Sequence, residues 1–304
     1  MAQKIINQDL ILVKELMNKV LNTDRYADIQ RLGGLTNHTY KVTLPDGRIY
    51  VIRLPGEGTE ELINRKDEEV STRLACSLSV DAKLLFFGEK GEKVTEYIEN
   101  AVTMSVISMQ EEENLTKAAE VFRKLHMSGV DTKVPFEVFD MAASYENIIR
   151  KNSVALYEDY PVVKAAVMEI KGYINAGSAA RKVPCHNDPL CENWVQDGNG
   201  RMYLIDWEYA GMNDGMWDLA DLSIEAALEH GQDEVLLRAY FNAEPTQAER
   251  ERFLANKLFL DFLWTLWGKA RVPFDGDEME QYAAGRYERL KTNLKQFMGM
   301  MHND

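Results

Sequence analysis

Residues 184–211 read PCHNDPLCENWVQDGNGRMYLIDWEYAG. Two short apolar runs, WVQ and MYLI, flank DGNG, a turn sequence that closes a hairpin. The hairpin delivers Asp206 at the end of its second strand, close to the loop HNDPLCEN that leads into the first. One short loop therefore carries His186, Asp188 and Asn193, and another carboxylate arrives from a strand end. Singly, each has an ordinary reading: Asp188 caps a turn, Asn193 and Asp197 bond locally, and His186 is a satisfied core residue. Together their spacing points to chemistry.

The rest of the chain sorts itself around this hairpin. Ile6, Leu10, Val13, Met17 and Val20 recur at helical spacing behind Asn7 as a cap. From Asp28 to Leu54 the runs YADIQRL, TYKVTL and RIYVIRL are separated by GGLTNH and PDG, which are turn signals, and predict an antiparallel meander. A charged helical run, TEELINRKDEEVSTRLACSL, follows, and AKLLFFG, GEKVTEYI and VTMSVISM predict three more strands. After Glu99 the pattern is mainly helical: Leu115, Ala118, Ala119, Phe122 and Leu125 form one stripe, and Thr246 to Glu249 (TQAE) reads as a capping box. The expectation is an α+β chain with a β-rich lobe over residues 1–98, containing one internal helix, and a larger helical lobe over residues 99–304.

Composition narrows the function classes. With 304 residues, 45% hydrophobic and 28% charged, the chain can bury a core of its own. Its formal net charge of −14 disfavours nucleic acid and anionic lipid as partners. Cys76, Cys185 and Cys191 form no CxxC pair, so neither a disulfide framework nor zinc is implied. The start, MAQKIINQDLILVKEL, has no leader pattern, and no window reaches the roughly 18 apolar residues of a membrane span. A cytoplasmic protein without membrane insertion is expected.

HNDPLCEN has the H-x-D-x-x-x-x-N spacing of a kinase catalytic loop. In phosphoryl transfer a protein orients a hydroxyl, accepts its proton late and holds Mg²⁺ against phosphate oxygens. An amide oxygen and a carboxylate suit Mg²⁺, which prefers hard donors and keeps several waters. RLGGLTNHTYKV, VIRL, VFRKLH, HNDPLCEN, IDWEYAG and DLAD follow one another in the order found in the choline/ethanolamine kinase family, within the aminoglycoside-phosphotransferase-like group. The chain resembles that family over nearly its whole length.

The resemblance implies a bilobal, protein-kinase-like fold and an ATP- and Mg²⁺-dependent enzyme acting on a small molecule. By it, Asp188 is the base in the catalytic set and also touches the acceptor, His186 positions the loop, and Asn193 and Asp206 bind the metal. Gly33, Gly34 and Asn37 in GGLTNH cover the nucleotide. Arg53 in VIRL stands for the phosphate-binding Lys, a role its planar fork suits, with Glu68 or the adjacent Glu69 as its partner. Glu96, Tyr97 and Ile98 resemble the hinge that binds adenine. Asn187 in place of the Arg of HRD, DWE in place of DFG, and the lack of an APE-like segment argue against a protein acceptor.

For the acceptor, LWTLW sets Trp264 and Trp267 at i and i+3, on one helix face. Aromatic faces recognise a quaternary ammonium, which donates no hydrogen bond, through their negative quadrupole. Choline kinases carry a similar cage, which implies Tyr209, Glu225, Trp264, Trp267 and Tyr282 as its members here. The plainer readings are packing of the Trp pair in a helical core, and Glu225 as an ordinary acid of a helix whose early acids, Asp218 and Asp221, complement the dipole and support the catalytic loop. The acceptor expected is choline, with ethanolamine, thiamine, an aminoglycoside or an amino-sugar as alternatives, and a choline-binding sensor on a dead kinase scaffold as the non-enzymatic one.

Overall fold

The computed structural model describes residues 7–32, 37–56, 63–177 and 181–301. Its first layer starts with helix α1 (Asn7–Leu21), followed by strands β1 (Asp28–Arg31), β2 (Asn37–Thr43) and β3 (Ile49–Pro55). Helix α2 (Arg65–Ser77) intervenes before β4 (Leu84–Phe87) and β5 (Lys93–Glu96). The five strands form one antiparallel sheet in the order β1-β2-β3-β5-β4. Alternation along β2 and β3 turns Tyr40, Val42, Tyr50 and Ile52 to one side, where Val13 and Met17 of α1 complete a small core. Arg53 lies directly across from Thr39 of β2 and Lys93 of β5.

The third of the strands expected after α2 is instead divided. Only Val102–Thr103 is extended, as β6, and it pairs with the first strand of the DGNG hairpin rather than with the five-stranded sheet. Ser105 then caps a single helical turn, α3 (Val106–Met109), through a reciprocal bond with Ser108. VTMSVISM has strand-like composition, but a Ser three residues ahead of another Ser is also a helix start.

The second lobe follows with α4 (Glu112–His126), α5 (Val138–Lys151), α6 (Tyr160–Gly177), β7 (Lys182–Cys185), β8 (Trp194–Gln196), β9 (Met202–Leu204) and β10 (Gly211–Asp214). It ends with α7 (Gly215–Glu225), α8 (His230–Phe241), α9 (Gln247–Asp275) and α10 (Asp277–Met301). The stripe Leu115, Ala118, Ala119, Phe122 and Leu125 is buried, and Thr246 with Glu249 forms the capping box that opens α9. Helix α9 runs through the lobe against α5, α6, α7 and α10.

Two small antiparallel sheets, β6-β8-β9 and β7-β10, complete the fold. β8 and β9 make the DGNG hairpin, with Asp197 accepting from the N–H groups of Asn199 and Arg201 and Gly200 at φ 80°. β7 pairs with β10 and fixes both ends of the loop between them. The first lobe is bolted to this region: Leu204 N–H donates to Val80 at 2.9 Å, and Ala75 and Val80 bury in the larger core. No helix among the described residues is long and apolar enough to cross a membrane.

Candidate active site

The loop 186–193 is held by its frame rather than by its own turn. Trp194, Trp207 and Trp217 are fully buried around it. Each removes roughly 150–250 Å² from water, about 4–6 kcal/mol at about 25 cal/mol per Å² as an upper bound. Their indole N–H groups are spent on backbone carbonyls: Trp217 on Asn187 (3.2 Å), Trp194 on Pro189 (3.2 Å) and Trp207 on Leu204 (3.0 Å).

Asp218, at the start of α7, accepts the backbone N–H groups of both His186 and Asn187 at 2.8 Å, and His126 Nε2 at 3.0 Å. His126 turns its other nitrogen to Tyr240 Oη at 2.9 Å. His126, Cys185 and Asp218 come together closely enough to suggest a metal cluster. Here both carboxylate oxygens and both ring nitrogens are already engaged, and burial pushes the Cys185 thiol well up, away from the thiolate a metal wants. The trio is a brace for the loop.

His186 is buried too. Its Nε2 lies 2.9 Å from the Ile205 carbonyl, which can only accept, so Nε2 carries the proton and Nδ1 receives the Asp188 N–H at 3.3 Å. Burial lowers its basicity. Both ring nitrogens are thus spent inside the loop's frame, and the ring is closed off from solvent. Asn187 takes φ 67°, a conformation Asn tolerates, and its amide ties Tyr209 O to Asn213. Asp206 also sits at positive φ, 68°. Two such residues, costing roughly 1 kcal/mol each, flank the point where the loop and hairpin meet.

There the carboxylates converge. Asn193 Nδ2 donates to the Asp188 carbonyl at 2.9 Å, which orients its amide, while the Asp188 carboxylate makes no hydrogen bond among the described residues. Burial first, then the charges of Asp206, Glu225 and Glu208, hold Asp188 well above the usual carboxylate range. Asp188 thus feels acids from two parts of the chain, Asp206 and Glu208 after the hairpin and Glu225 on α7.

The first group belongs to the sheet side. Arg53 donates to Glu68, to Gly91 O at 3.0 Å and to Asp206 Oδ1 at 3.1 Å. Arg65 reaches Glu68 at 2.6 Å and Glu208 at 3.5 Å, and Asn37 donates to Glu208 at 3.0 Å. Gly91, at φ 95°, leaves room for the Arg65 side chain, which an added Cβ would meet at 2.6 Å. Glu69 turns outward to Arg73, so of the two acids Glu68 is the one on Arg53.

The second group belongs to the helices. Tyr209, Trp264, Trp267 and Tyr282 make a continuous wall of edge-to-face rings, with centroids 6.1, 5.9 and 5.6 Å apart in turn. At its end the Arg286 guanidinium lies 5.1 Å from the Tyr282 ring centre and pairs with Glu225. A cavity of about 260 Å³ opens there, bordered by Ile224, Glu225, Gln281, Tyr282, Arg286 and Arg289.

Other expected residues are placed less directly. Gly33 and Gly34 lie outside the described residues. The N–H groups of Glu96 and Tyr97 go to Lys83 and Ile49 within the sheet lobe, and the Glu96 side chain goes to Lys83, so of the three hinge residues Ile98 is the one whose N–H is not committed to a backbone partner there. Sequence reasoning passed over Glu208, Arg65 and Arg286. The spacing of IDWE, which sets Glu208 two residues beyond Asp206, and of YAAGR, which sets Arg286 one helical turn past Tyr282, were the available signals. Asp221, read with Asp218 as loop support, makes no hydrogen bond to the loop.

A family model described as choline/ethanolamine kinase matches residues 29–268. A choline/ethanolamine kinase family protein of Mesorhizobium loti superimposes with a TM-score of 0.83 at 36% identity, covering 93% of this chain and 94% of that one. The choline kinase LicA of Streptococcus pneumoniae gives 0.79 at 30% identity, covering 95% and 100%. Human Ethanolamine kinase 2 is 26% identical over 298 residues, 88% of this chain and 75% of that protein. With the family model spanning most of its length and the loop, hairpin and two-lobed fold in place, the chain belongs to the choline/ethanolamine kinase family.

Proposed function

We propose that this kinase transfers the γ-phosphoryl group of ATP to the hydroxyl of choline, giving phosphocholine and ADP. The observation that carries the choice is the aromatic wall from Tyr209 to Tyr282, which ends beside Glu225, an acid close enough to Asp188 to raise its proton affinity. Such a wall binds a cation that donates no hydrogen bond, with the carboxylate as counter-charge.

In this reading residues 1–98 hold the nucleotide, and residues 99–304 supply the catalytic loop and acceptor pocket. Asp188, whose carboxylate is left without an internal partner, accepts the acceptor hydroxyl's hydrogen bond and takes its proton late in the transfer. Its raised proton affinity suits that task. Asn193 and Asp206 offer an amide oxygen and a carboxylate beside one another, a hard-oxygen set that fits Mg²⁺. Mg²⁺ bound there would neutralise charge on the β- and γ-phosphate oxygens. Arg53, which donates Nη1 to Asp206 Oδ1 at 3.1 Å, stands beside this set and would present its planar guanidinium to phosphate oxygens. A cytoplasmic reaction, supplied with ATP there, belongs to the same reading.

The test is ADP release with Mg²⁺-ATP over concentration series of choline and ethanolamine. A higher kcat/KM for choline is expected. A higher value for ethanolamine would keep the donor side and overturn the acceptor assignment, while nucleotide and choline binding without turnover would point to a sensor. Asp188, Asn193 and Asp206 together weigh against the sensor, since a binder needs no metal ligands.

A further inference from the structure

Two features of the acceptor end are left over by the transfer chemistry. Arg286, on α10 one turn beyond Tyr282, pairs with Glu225 and covers the Tyr282 ring at 5.1 Å. A cation set against a carboxylate and an aromatic face is how this wall would hold an ammonium ion, so a side chain of the protein already sits there. Its other acid contact is slack: Nη1 is 3.5 Å from Asp261, whose carboxylate Arg289 grips at 2.6 and 2.9 Å.

The other feature is Asp221, on α7 one turn before Glu225. It is 1% exposed, and neither carboxylate oxygen has a hydrogen-bond partner among the described residues. A buried acid with no partner is costly unless it is neutral or a cation comes to it. Burial, then Glu225 and Asp188, raise its proton affinity, and Arg286 is the cation that opposes them. Glu225 holds that arginine in a direct ion pair, whereas Asp221 feels it only through space. An ammonium ion arriving at Glu225 makes two cations for two acids.

We propose that Arg286 is a displaceable internal cation, which neutralises Glu225 and covers Tyr282 when no acceptor is bound and turns to Asp221 when an ammonium ion takes its place. The proposal rests on the acceptor reading above and deepens it into a specificity device. A neutral alcohol of similar size brings no charge to exchange and leaves the guanidinium over the ring, so the pocket admits cationic alcohols and refuses neutral ones.

The experiment titrates the full-length protein with tetramethylammonium chloride, a cation without a hydroxyl, following the indole fluorescence of Trp264 and Trp267. Arg286→Gln is expected to tighten binding by about fivefold or more, the low end of site-to-site coupling. Asp221→Asn is expected to weaken it in the native background, and to change it by less than about twofold once Arg286 is Gln, the limit of additivity for uncoupled sites. Weaker binding by Arg286→Gln, or an Asp221→Asn loss of equal size in both backgrounds, would overturn the exchange in favour of a structural arginine or plain attraction through space. If Arg286→Gln does not give a native near-ultraviolet dichroism spectrum, Arg286→Lys replaces it: the point charge stacks less well on Tyr282, so tighter binding supports the exchange and weaker binding overturns it. Should the unaltered protein bind no tetramethylammonium and release no ADP with choline or ethanolamine, the acceptor reading itself falls, whatever the variants do.

Discussion

Each side of the cleft holds a buried arginine, and the two are set for opposite tasks. Arg53 on the sheet side is tied to Glu68, Gly91 O and Asp206, and it faces the place where phosphate, an anion, is proposed to bind. It gains a partner when the ligand arrives. Arg286 on the helix side is tied to Glu225 and Tyr282, facing a proposed ligand of its own charge, and it loses one. Two buried arginines flank one buried acid, Glu68, on the sheet side, whereas on the helix side Arg286 is the buried cation beside the buried acids Asp221 and Asp261; the first arrangement suits a proposed anion, and the second already holds a cation.

Asp188 lies where the two sides meet, so removing it should cost the most. Asp188→Asn is expected to lower kcat by about 10² to 10⁴-fold, measured as ADP release, with an unchanged melting temperature. The stability expectation follows from the geometry: the loop is tied through the Asp188 backbone, whereas the carboxylate has no partner to lose. Near-normal turnover would break the division of the cleft at this residue.

The supports of the two sides should rank next, and here the readout is stability. Asp218→Asn turns an acceptor of two backbone N–H groups and His126 into a group that presents a donor to them. A loss of about 3 kcal/mol or more is expected from charged bonds of this kind, read by denaturant unfolding. Glu68→Gln should cost a comparable amount, about 3–5 kcal/mol for removing one partner of a buried ion pair, because Arg53 and Arg65 then face each other without the acid between them. If either variant melted like the native chain, the loop or the donor side would be less rigidly built than its contacts indicate.

On the acceptor side the effect should fall on binding alone. Trp267→Ala interrupts the wall between Trp264 and Tyr282. A desolvated cation–π contact is worth about 2 kcal/mol, so KM for choline should rise by roughly 30-fold while kcat holds. The rise should be smaller for ethanolamine, whose N–H groups depend on acceptors more than on ring faces. Equal effects on both substrates, or a fall in kcat instead, would make Trp267 a packing residue.

The donor side was easier to read from sequence than the acceptor side, for a physical reason. Asp188, Asn193 and Asp206 are locked to a loop and a hairpin whose turn residues are themselves diagnostic, so spacing along the chain carries spacing in space. The wall is assembled from a strand exit, α9 and α10, and an i, i+3 Trp pair looks the same in any helical core. Arg286 and Asp221 were harder still, because an arginine in a late helix and an acid in an early one carry no sign of the partner each has or lacks. VTMSVISM shows the converse: its apolar run suggested a strand, and a Ser–Ser cap decided for a helical turn.

Glu69 offers the smallest effect and a sharp check on the donor side. Sequence alone left the partner of Arg53 between two neighbouring acids, and successive helical residues point about 100° apart. The geometry resolves them completely: Glu68 is buried between two arginines, while Glu69 lies at the surface in an i, i+4 pair with Arg73. Exposed pairs of this kind contribute about 0.3–0.5 kcal/mol and are screened by salt. Glu69→Gln should therefore change the unfolding free energy by no more than about 0.5 kcal/mol, and that difference should vanish at high ionic strength, with ATP turnover unaltered. A loss like that expected of Glu68→Gln would mean that Arg53 exchanges between the two acids, and the donor side would then be as displaceable as the acceptor side.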